Sequence, residues 1–212
     1  MIDLYTWTTP NGRKVSILLE ELGVPYTAHA IDIGKDDQFA PGFLKISPNN
    51  KIPAIVDQET GLSLMESGAI LLYLAQKHQR FTVEGEEYWR MVEWLMWQMG
   101  GLGPMLGQAH HFLKFNRGTS DYAETRYGKE AQRLYSVLNT RLDGRDYVAG
   151  EGNGAYTIAD MAIFPWIARF EWQDIDLNAY PNVKDWYLRL ADRPAVQKGY
   201  HVPKFVSDLP MP

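Results

Sequence analysis

Every strand signal in this chain falls before residue 79, and everything beyond it reads as helix. A sequence that changes period in this way divides into a mixed α/β part and an all-helical part. In the first part, Ile2–Thr6 is a short apolar run with the character of a buried strand. Thr9-Pro10 supplies a hydroxyl N-cap followed by proline at the first helical position. Val15, Leu18, Leu19 and Leu22 then recur at i, i+3, i+4, i+7, one face of a helix, and Gly23 suits its C-cap. Pro25–Ile33 alternates as a second strand. Pro53–Val56 and Leu62–Met65 are apolar runs joined by hairpin chemistry at Asp57–Gly61. Ser67–Lys77 is helical, with Ile70, Tyr73 and Leu74 on one face. The expected order is β-α-β-(α)-β-β-α, parallel at first and ending in an antiparallel hairpin.

Gln79–Glu86 is polar and reads as a linker. Beyond it, Glu87–Phe115 and Asp121–Leu142 predict long helices rich in Trp, Met, Leu and Tyr. Thr157–Asp160 resembles a capping box with Asp in place of Glu, and Tyr156 and Met161 occupy the staple positions around it. Val183–Leu190 and the residues after Pro194 predict further helices. The expected domains are 1–78 (α/β), 79–86 (linker) and 87–212 (all-helical).

The 212 residues include no cysteine. That excludes a disulfide, a thiolate metal site, a CxxC redox pair and a cysteine nucleophile. Any thiol chemistry has to use a thiol that the protein borrows. A net charge of −5 gives no global attraction for nucleic acid or anionic membrane. No apolar run approaches the roughly 18 residues of a membrane helix. The opening MIDLYTWTTPNG lacks the charged and apolar regions of a signal peptide. The expected compartment is the cytoplasm, with no nucleic acid and no membrane among the partners.

Three places carry polar groups suited to a ligand. Thr8, Thr9 and Asn11 surround the start of the first helix, where hydroxyls, an amide and a positive helix end favour a thiolate over a thiol. Helix capping explains the threonines as well, but an amide at Asn11 is not needed to start the helix. Ile52-Pro53 opens a strand after the loop Ser47-Pro-Asn-Asn-Lys51. The residues alone favour a trans bond there, because cis bonds are a small minority of X-Pro bonds. If the bond is cis, the backbone N–H and C=O of Ile52 turn outward toward an extended peptide. Glu66-Ser67 lies where the last strand gives way to a helix. A hydroxyl and free amides at a helix N-terminus bind a carboxylate, and Glu66 beside them binds an ammonium. Capping of the helix by Ser67 is the plainer reading.

Other patterns carry less. His110 and His111 point about 100° apart on a helix and have no carboxylate at ligand spacing, so no metal is expected. The glycines of Gly100-Gly-Leu-Gly-Pro104 follow no strand and read as a kink or pause in a helix. Trp89, Trp94 and Trp97 lack the basic stripe of a base-stacking platform and read as core or interface.

In this order, a helix N-terminus after strand one, Ile-Pro before strand three and Glu-Ser after strand four form one pattern. With the helical part and its Thr157–Asp160 cap, the chain resembles the cytosolic glutathione transferase family over nearly its whole length. It is most similar to the bacterial Nu-class. The likeness rests on Thr9-Pro-Asn-Gly12, Ser47-Pro-Asn-Asn-Lys-Ile-Pro-Ala-Ile-Val56, Glu66-Ser-Gly-Ala-Ile-Leu-Leu-Tyr-Leu74 and Gly100-Gly-Leu-Gly-Pro-Met-Leu-Gly-Gln108.

The resemblance implies a thioredoxin-like N-terminal domain packed on an all-helical C-terminal domain, assembled as a homodimer. It implies glutathione as co-substrate, no metal, and a small disulfide, peroxide or electrophile as the second substrate. Thr9 and Asn11 are expected to face the sulfur. Pro53 is expected to be cis with Ile52 pairing to the cysteinyl unit, and Glu66 and Ser67 to hold the γ-glutamyl end. Gln38, Lys51 and, from the helical domain, Arg126 are the remaining expected contacts. Tyr5 falls within the strand rather than at its mouth and receives no role. The expected activity is glutathione-dependent disulfide reduction with modest transferase and peroxidase activity. The alternatives are a conjugating transferase, with an acceptor pocket of Trp7, Met105 and Phe112, and a glutathione-fold binding or regulatory protein without turnover.

Overall fold

A computed structural model describes residues 1–212. Strand β1 (Ile2–Thr6) alternates buried and half-buried positions, as a strand between two neighbours should. Helix α1 (Pro10–Leu22) is capped by Thr9 and stops at Gly23, whose φ of 67° lets its N–H reach the carbonyls of Leu19 and Glu20. Strand β2 (Tyr26–Ala30) pairs parallel to β1. It ends short of the expected Ile33, because the Asp32 carboxylate accepts from the Gly34 N–H at 3.0 Å and turns the chain into a 3₁₀ turn at Ile33–Lys35. After the one-turn helix α2 (Pro41–Leu44) come β3 (Ala54–Asp57) and β4 (Leu62–Met65), then α3 (Ser67–His78). The sheet order is β2-β1-β3-β4, with both β1–β3 and β3–β4 antiparallel.

The remaining helices are α4 (Gly85–Trp97), α5 (Gly103–Ala109), α6 (Asp121–Arg141), α7 (Ile158–Ile167), α8 (Pro181–Ala191) and α9 (Pro194–Tyr200). The helical stretch expected over Glu87–Phe115 carries a π-helical turn at Gln98–Leu102, where the glycines predict a kink or pause, and a second, unexpected one at His110–Phe115. Pro104 has no N–H for a bond to the Gly100 carbonyl, and the widened turn absorbs that gap. No helix is long and apolar enough to cross a membrane.

The chain forms two compact units. One is Met1–Arg80 with Asp192–Leu209, and the other is Phe81–Ala191 with Pro210–Pro212. The expected boundaries placed all of 87–212 in the helical domain, whereas α9 and the residues after it as far as Leu209 group with the sheet. The reason lies on the polar side of α1. Arg13 Nε donates to the Tyr200 carbonyl at 2.9 Å, its guanidinium stacks 3.5 Å from the Tyr200 ring, and Ser16 Oγ donates to the Gly199 carbonyl at 2.7 Å. Arg193–Glu21 and Lys198–Glu20 ion pairs flank these bonds. A helix that reads as amphipathic is therefore buried on nearly every side.

Gly199 permits that approach. A Cβ there would lie 2.6 Å from Ile17 Cα and 2.7 Å from Ile17 N. Gly199→Ala is expected to destabilise the protein by about 1–3 kcal/mol through overpacking. A melting temperature equal to wild type would contradict this approach of the two helices.

In the helical unit, α7 is buried along its whole length. Its N-terminus carries the expected capping box, with both reciprocal bonds between Thr157 and Asp160 present. Tyr156 meets Phe81 edge-on and tilts against Tyr147.

Candidate active site

Strand register brings three segments to one end of the sheet. Ala54 lies opposite Tyr5 on one side and Met65 on the other. The turn after β1, the Ile52-Pro53 entry to β3 and the Glu66-Ser67 exit from β4 are therefore neighbours. Because β2 runs parallel to β1, the segment carrying Gln38 leaves the sheet from this same end.

The turn into α1 is tight. Thr9 Oγ accepts from the Gly12 N–H at 3.2 Å, and the Thr9 N–H donates to the Trp7 carbonyl at 2.7 Å. A Cβ on Gly12 would collide with the Trp7 carbonyl oxygen and Thr6 Oγ, so this turn demands glycine. The capping role of Thr9 is thus real, yet its hydroxyl proton donates to no group of the protein. Asn11, the second residue of α1, is half-buried beside it. Tyr5 stacks on its cross-strand partner His29, ring centroids 4.7 Å apart, and burial pushes its hydroxyl toward the protonated form. On the far side of the turn, Lys204 Nζ lies 4.2 Å from the centre of the Trp7 ring.

The Ile52–Pro53 bond is cis. No hydrogen bond within the protein engages the backbone of Ile52. The loop before it is closed by Ser47 Oγ donating to the Lys51 carbonyl at 2.8 Å, which leaves the Lys51 side chain exposed. Gln38 donates weakly to Asp36 at 3.4 Å, and its buried Oε1 has no protein donor.

At the start of α3 the N-cap is Glu66, not Ser67, and its side chain makes no capping bond. The simple capping role expected for Ser67 is therefore set aside. Glu66 holds φ 70° and ψ 113°, a conformation that L-residues seldom adopt outside functional sites. The amides of Gly68 and Ala69 make no hydrogen bond within the protein, as the first donors of a helix do at its positive end. Ser67 Oγ accepts from Lys14 Nζ at 3.3 Å. Lys14 is a site residue that the sequence patterns missed. It is 1% exposed, and burial pushes its ammonium down to about 7 while Glu66 pulls it back up. Its place three residues after Asn11 and four before Leu18 put a lysine on the inward face of α1, and that was the available signal.

A carboxylate cradle, an adjacent acid and two neutral donors at a helix start thus share one sheet end. The family model described as Glutathione S-transferase, N-terminal domain matches residues 4–82, and that described as Glutathione S-transferase, C-terminal domain matches residues 103–194. The chain belongs to the glutathione S-transferase family. It is 52% identical over 201 residues to the Disulfide-bond oxidoreductase YfcG of Escherichia coli, covering 92% of each chain. A crystal structure of a glutathione transferase from Pseudomonas putida, with one glutathione disulfide bound per subunit, superposes with a TM-score of 0.90 at 41% identity, covering 95% of this chain and 91% of that one. One from Burkholderia graminis, with two glutathione molecules per subunit, gives 0.89 at 40% identity, covering 96% and 88%.

The helical unit of this glutathione S-transferase holds the other expected residues. Arg126 is exposed on α6. Met105 and Phe112 are half-buried, and Phe112 stacks on Tyr127 at 5.5 Å. His110 is a core residue. Burial pushes its imidazole down to about 4, and the neutral ring stacks on Trp166 with its Nε2 2.8 Å from Gln173 Nε2. Gln173 also donates to the Trp166 carbonyl and accepts from Tyr135. No group of three or more His, Asp or Glu side chains is placed to hold a metal.

Proposed function

We propose that this glutathione S-transferase reduces small disulfides with bound glutathione. The observation that carries this reading is a helix start bearing Thr9 and Asn11, in a protein with no cysteine of its own. Glutathione would lie with its γ-glutamyl end at Glu66 and Ser67, its cysteinyl backbone on Ile52 beside Pro53, and its sulfur toward Thr9 and Asn11. Gln38 and Lys51 flank the peptide. A free cysteine thiol ionises near 8.5, and lowering that by about one to two units enriches the thiolate at neutral pH. A deeper shift would cost nucleophilicity.

The glutathione thiolate attacks one sulfur of the disulfide, forming a mixed disulfide and releasing the other half as a thiolate. A second glutathione thiolate then attacks the mixed disulfide at the glutathione sulfur. Oxidised glutathione and a second substrate thiolate leave, and each thiolate recovers a proton from water. Two glutathiones are consumed per disulfide because the resolving thiol has no source in the chain. The name of the Escherichia coli relative, and the disulfide and glutathione pair in the two solved relatives, support this scheme. The proposed setting is the cytoplasm, where thiols stay reduced. The proposed assembly is a homodimer. Trp89 and Met96, seven residues apart on α4 and both exposed, offer apolar surface to a second copy.

Glutathione consumption with hydroxyethyl disulfide is expected to exceed that with a chlorinated nitroarene. Rapid arylation with negligible reduction would favour conjugation instead, and retention on glutathione resin without turnover on either would favour a binding protein. Asn11→Ala is expected to lower kcat more than it raises KM, since the amide stabilises charge on sulfur during attack. A change in KM alone would remove Asn11 from the chemistry.

A further inference from the structure

Lys14 takes no part in the chemistry described so far. Its cost to the fold is high, because a lysine at 1% exposure has surrendered its hydration. The ammonium sits behind the start of α3, 3.3 Å from Ser67 Oγ and under the attraction of Glu66. It thus joins the inward face of α1 to the two residues assigned to the γ-glutamyl end. We propose that Lys14 is a positioning residue that turns the Ser67 hydroxyl proton outward and offsets the charge of Glu66, so that the α-carboxylate of an amino-acid end is accepted there. The inference rests on the glutathione reading and deepens it, because it says why this end selects a zwitterion.

The geometry fixes the direction of the bond. An ammonium has three donors and no acceptor, so Ser67 Oγ must be the acceptor, and its own proton is not spent on Lys14. A ligand carboxylate brings a second negative charge beside Glu66, which keeps Lys14 in its charged form. Without the ammonium, that carboxylate would stand beside the exposed Glu66 carboxylate with no buried cation behind the pair to offset their like charge. Lys14 reaches the ligand through Ser67 and through the field, not by touching the sulfur.

Calorimetry with two probes separates these roles. One is glutathione, and the other is γ-aminobutyryl-cysteinylglycine, which lacks only the α-carboxylate. Lys14→Met is expected to weaken glutathione binding roughly tenfold while leaving the analogue within about twofold of wild type. It should melt at or above the wild-type temperature, since an apolar chain replaces a buried ammonium. Ser67→Ala combined with Lys14→Met should weaken glutathione binding by less than the product of the two single losses, because part of the Lys14 effect passes through Ser67 and only the part exerted by its field on Glu66 remains. Lys14→Gln keeps an N–H donor and should recover part of the loss, and it serves in place of the methionine variant if that fails to fold. Equal weakening of both probes, or full additivity in the double variant, overturns the positioning role while the glutathione reading stands. Failure of the wild type to bind glutathione overturns that reading and this inference together.

Discussion

Replacing Asp160 with alanine is expected to cost about 3–5 kcal/mol, a large share of the 5–15 kcal/mol that holds a typical domain folded. The carboxylate is completely buried and accepts four hydrogen bonds. Oδ1 takes the Val148 N–H at 3.1 Å and the Trp186 indole N–H at 2.9 Å, and Oδ2 takes the Thr157 N–H at 3.0 Å and its hydroxyl at 3.3 Å. Alanine would strand these donors inside the helical unit and undo the capping box of α7. Asp160→Asn keeps Oδ1 but turns an amide N–H₂ against the Thr157 N–H, so a smaller loss of about 1–3 kcal/mol follows. Burial pushes the Asp160 carboxyl up to about 6, against the pull of its four donors, from 3.8 in the open chain. The native state therefore binds more protons than the unfolded state between about 4 and about 6. This contribution is complete below about 4, fades as pH rises through about 6, and is flat beyond, a change of about 3 kcal/mol. Urea unfolding of wild type and Asp160→Asn at about pH 4.5 and pH 7 isolates it. An identical pH effect in both proteins would show that Asp160 is ionised throughout.

The legible parts of the fold were those set by local periodicity. Ile2–Thr6, Leu62–Met65 and the stop at Gly23 needed nothing beyond apolar spacing and turn chemistry, and the structure has each of them. The Thr157 cap was equally local, since its two bonds span three residues. What periodicity does not carry is long-range partnership. The affinity of α9 for α1 depends on Arg13 meeting Tyr200 and on Gly199 meeting Ile17, contacts more than 180 residues apart in sequence. In the site, single residues read correctly as polar, but their division of labour did not. Thr9 caps its helix while Ser67 does not, although both hydroxyls stand at a helix start. Lys14 was hidden for the reverse reason, because a lysine in a helix is by default solvated and this one is enclosed.

Ser67→Ala is the substitution expected to weaken glutathione most among the binding residues. A hydroxyl donating to a carboxylate contributes roughly 1.5–3 kcal/mol, so affinity should fall roughly tenfold to a hundredfold. Turnover at saturating glutathione should change little, because the lost contact serves ground state and transition state alike. That profile is the opposite of the one expected for Asn11→Ala, and the pair divides the site into a grip and a reacting end. Stability is the deciding control. Loss of a true N-cap costs about 1 kcal/mol, but here Glu66 holds the N-cap position and Ser67 is the first helical residue. The melting temperature should therefore show no loss of a cap but a small drop from the acceptor withdrawn from the buried Lys14 ammonium, while isothermal titration registers the weaker binding. A drop in melting temperature with unchanged affinity would return Ser67 to a structural role. It would also take with it the proton that Lys14 is proposed to aim, since a hydroxyl that no ligand needs has no reason to be turned outward from a buried ammonium.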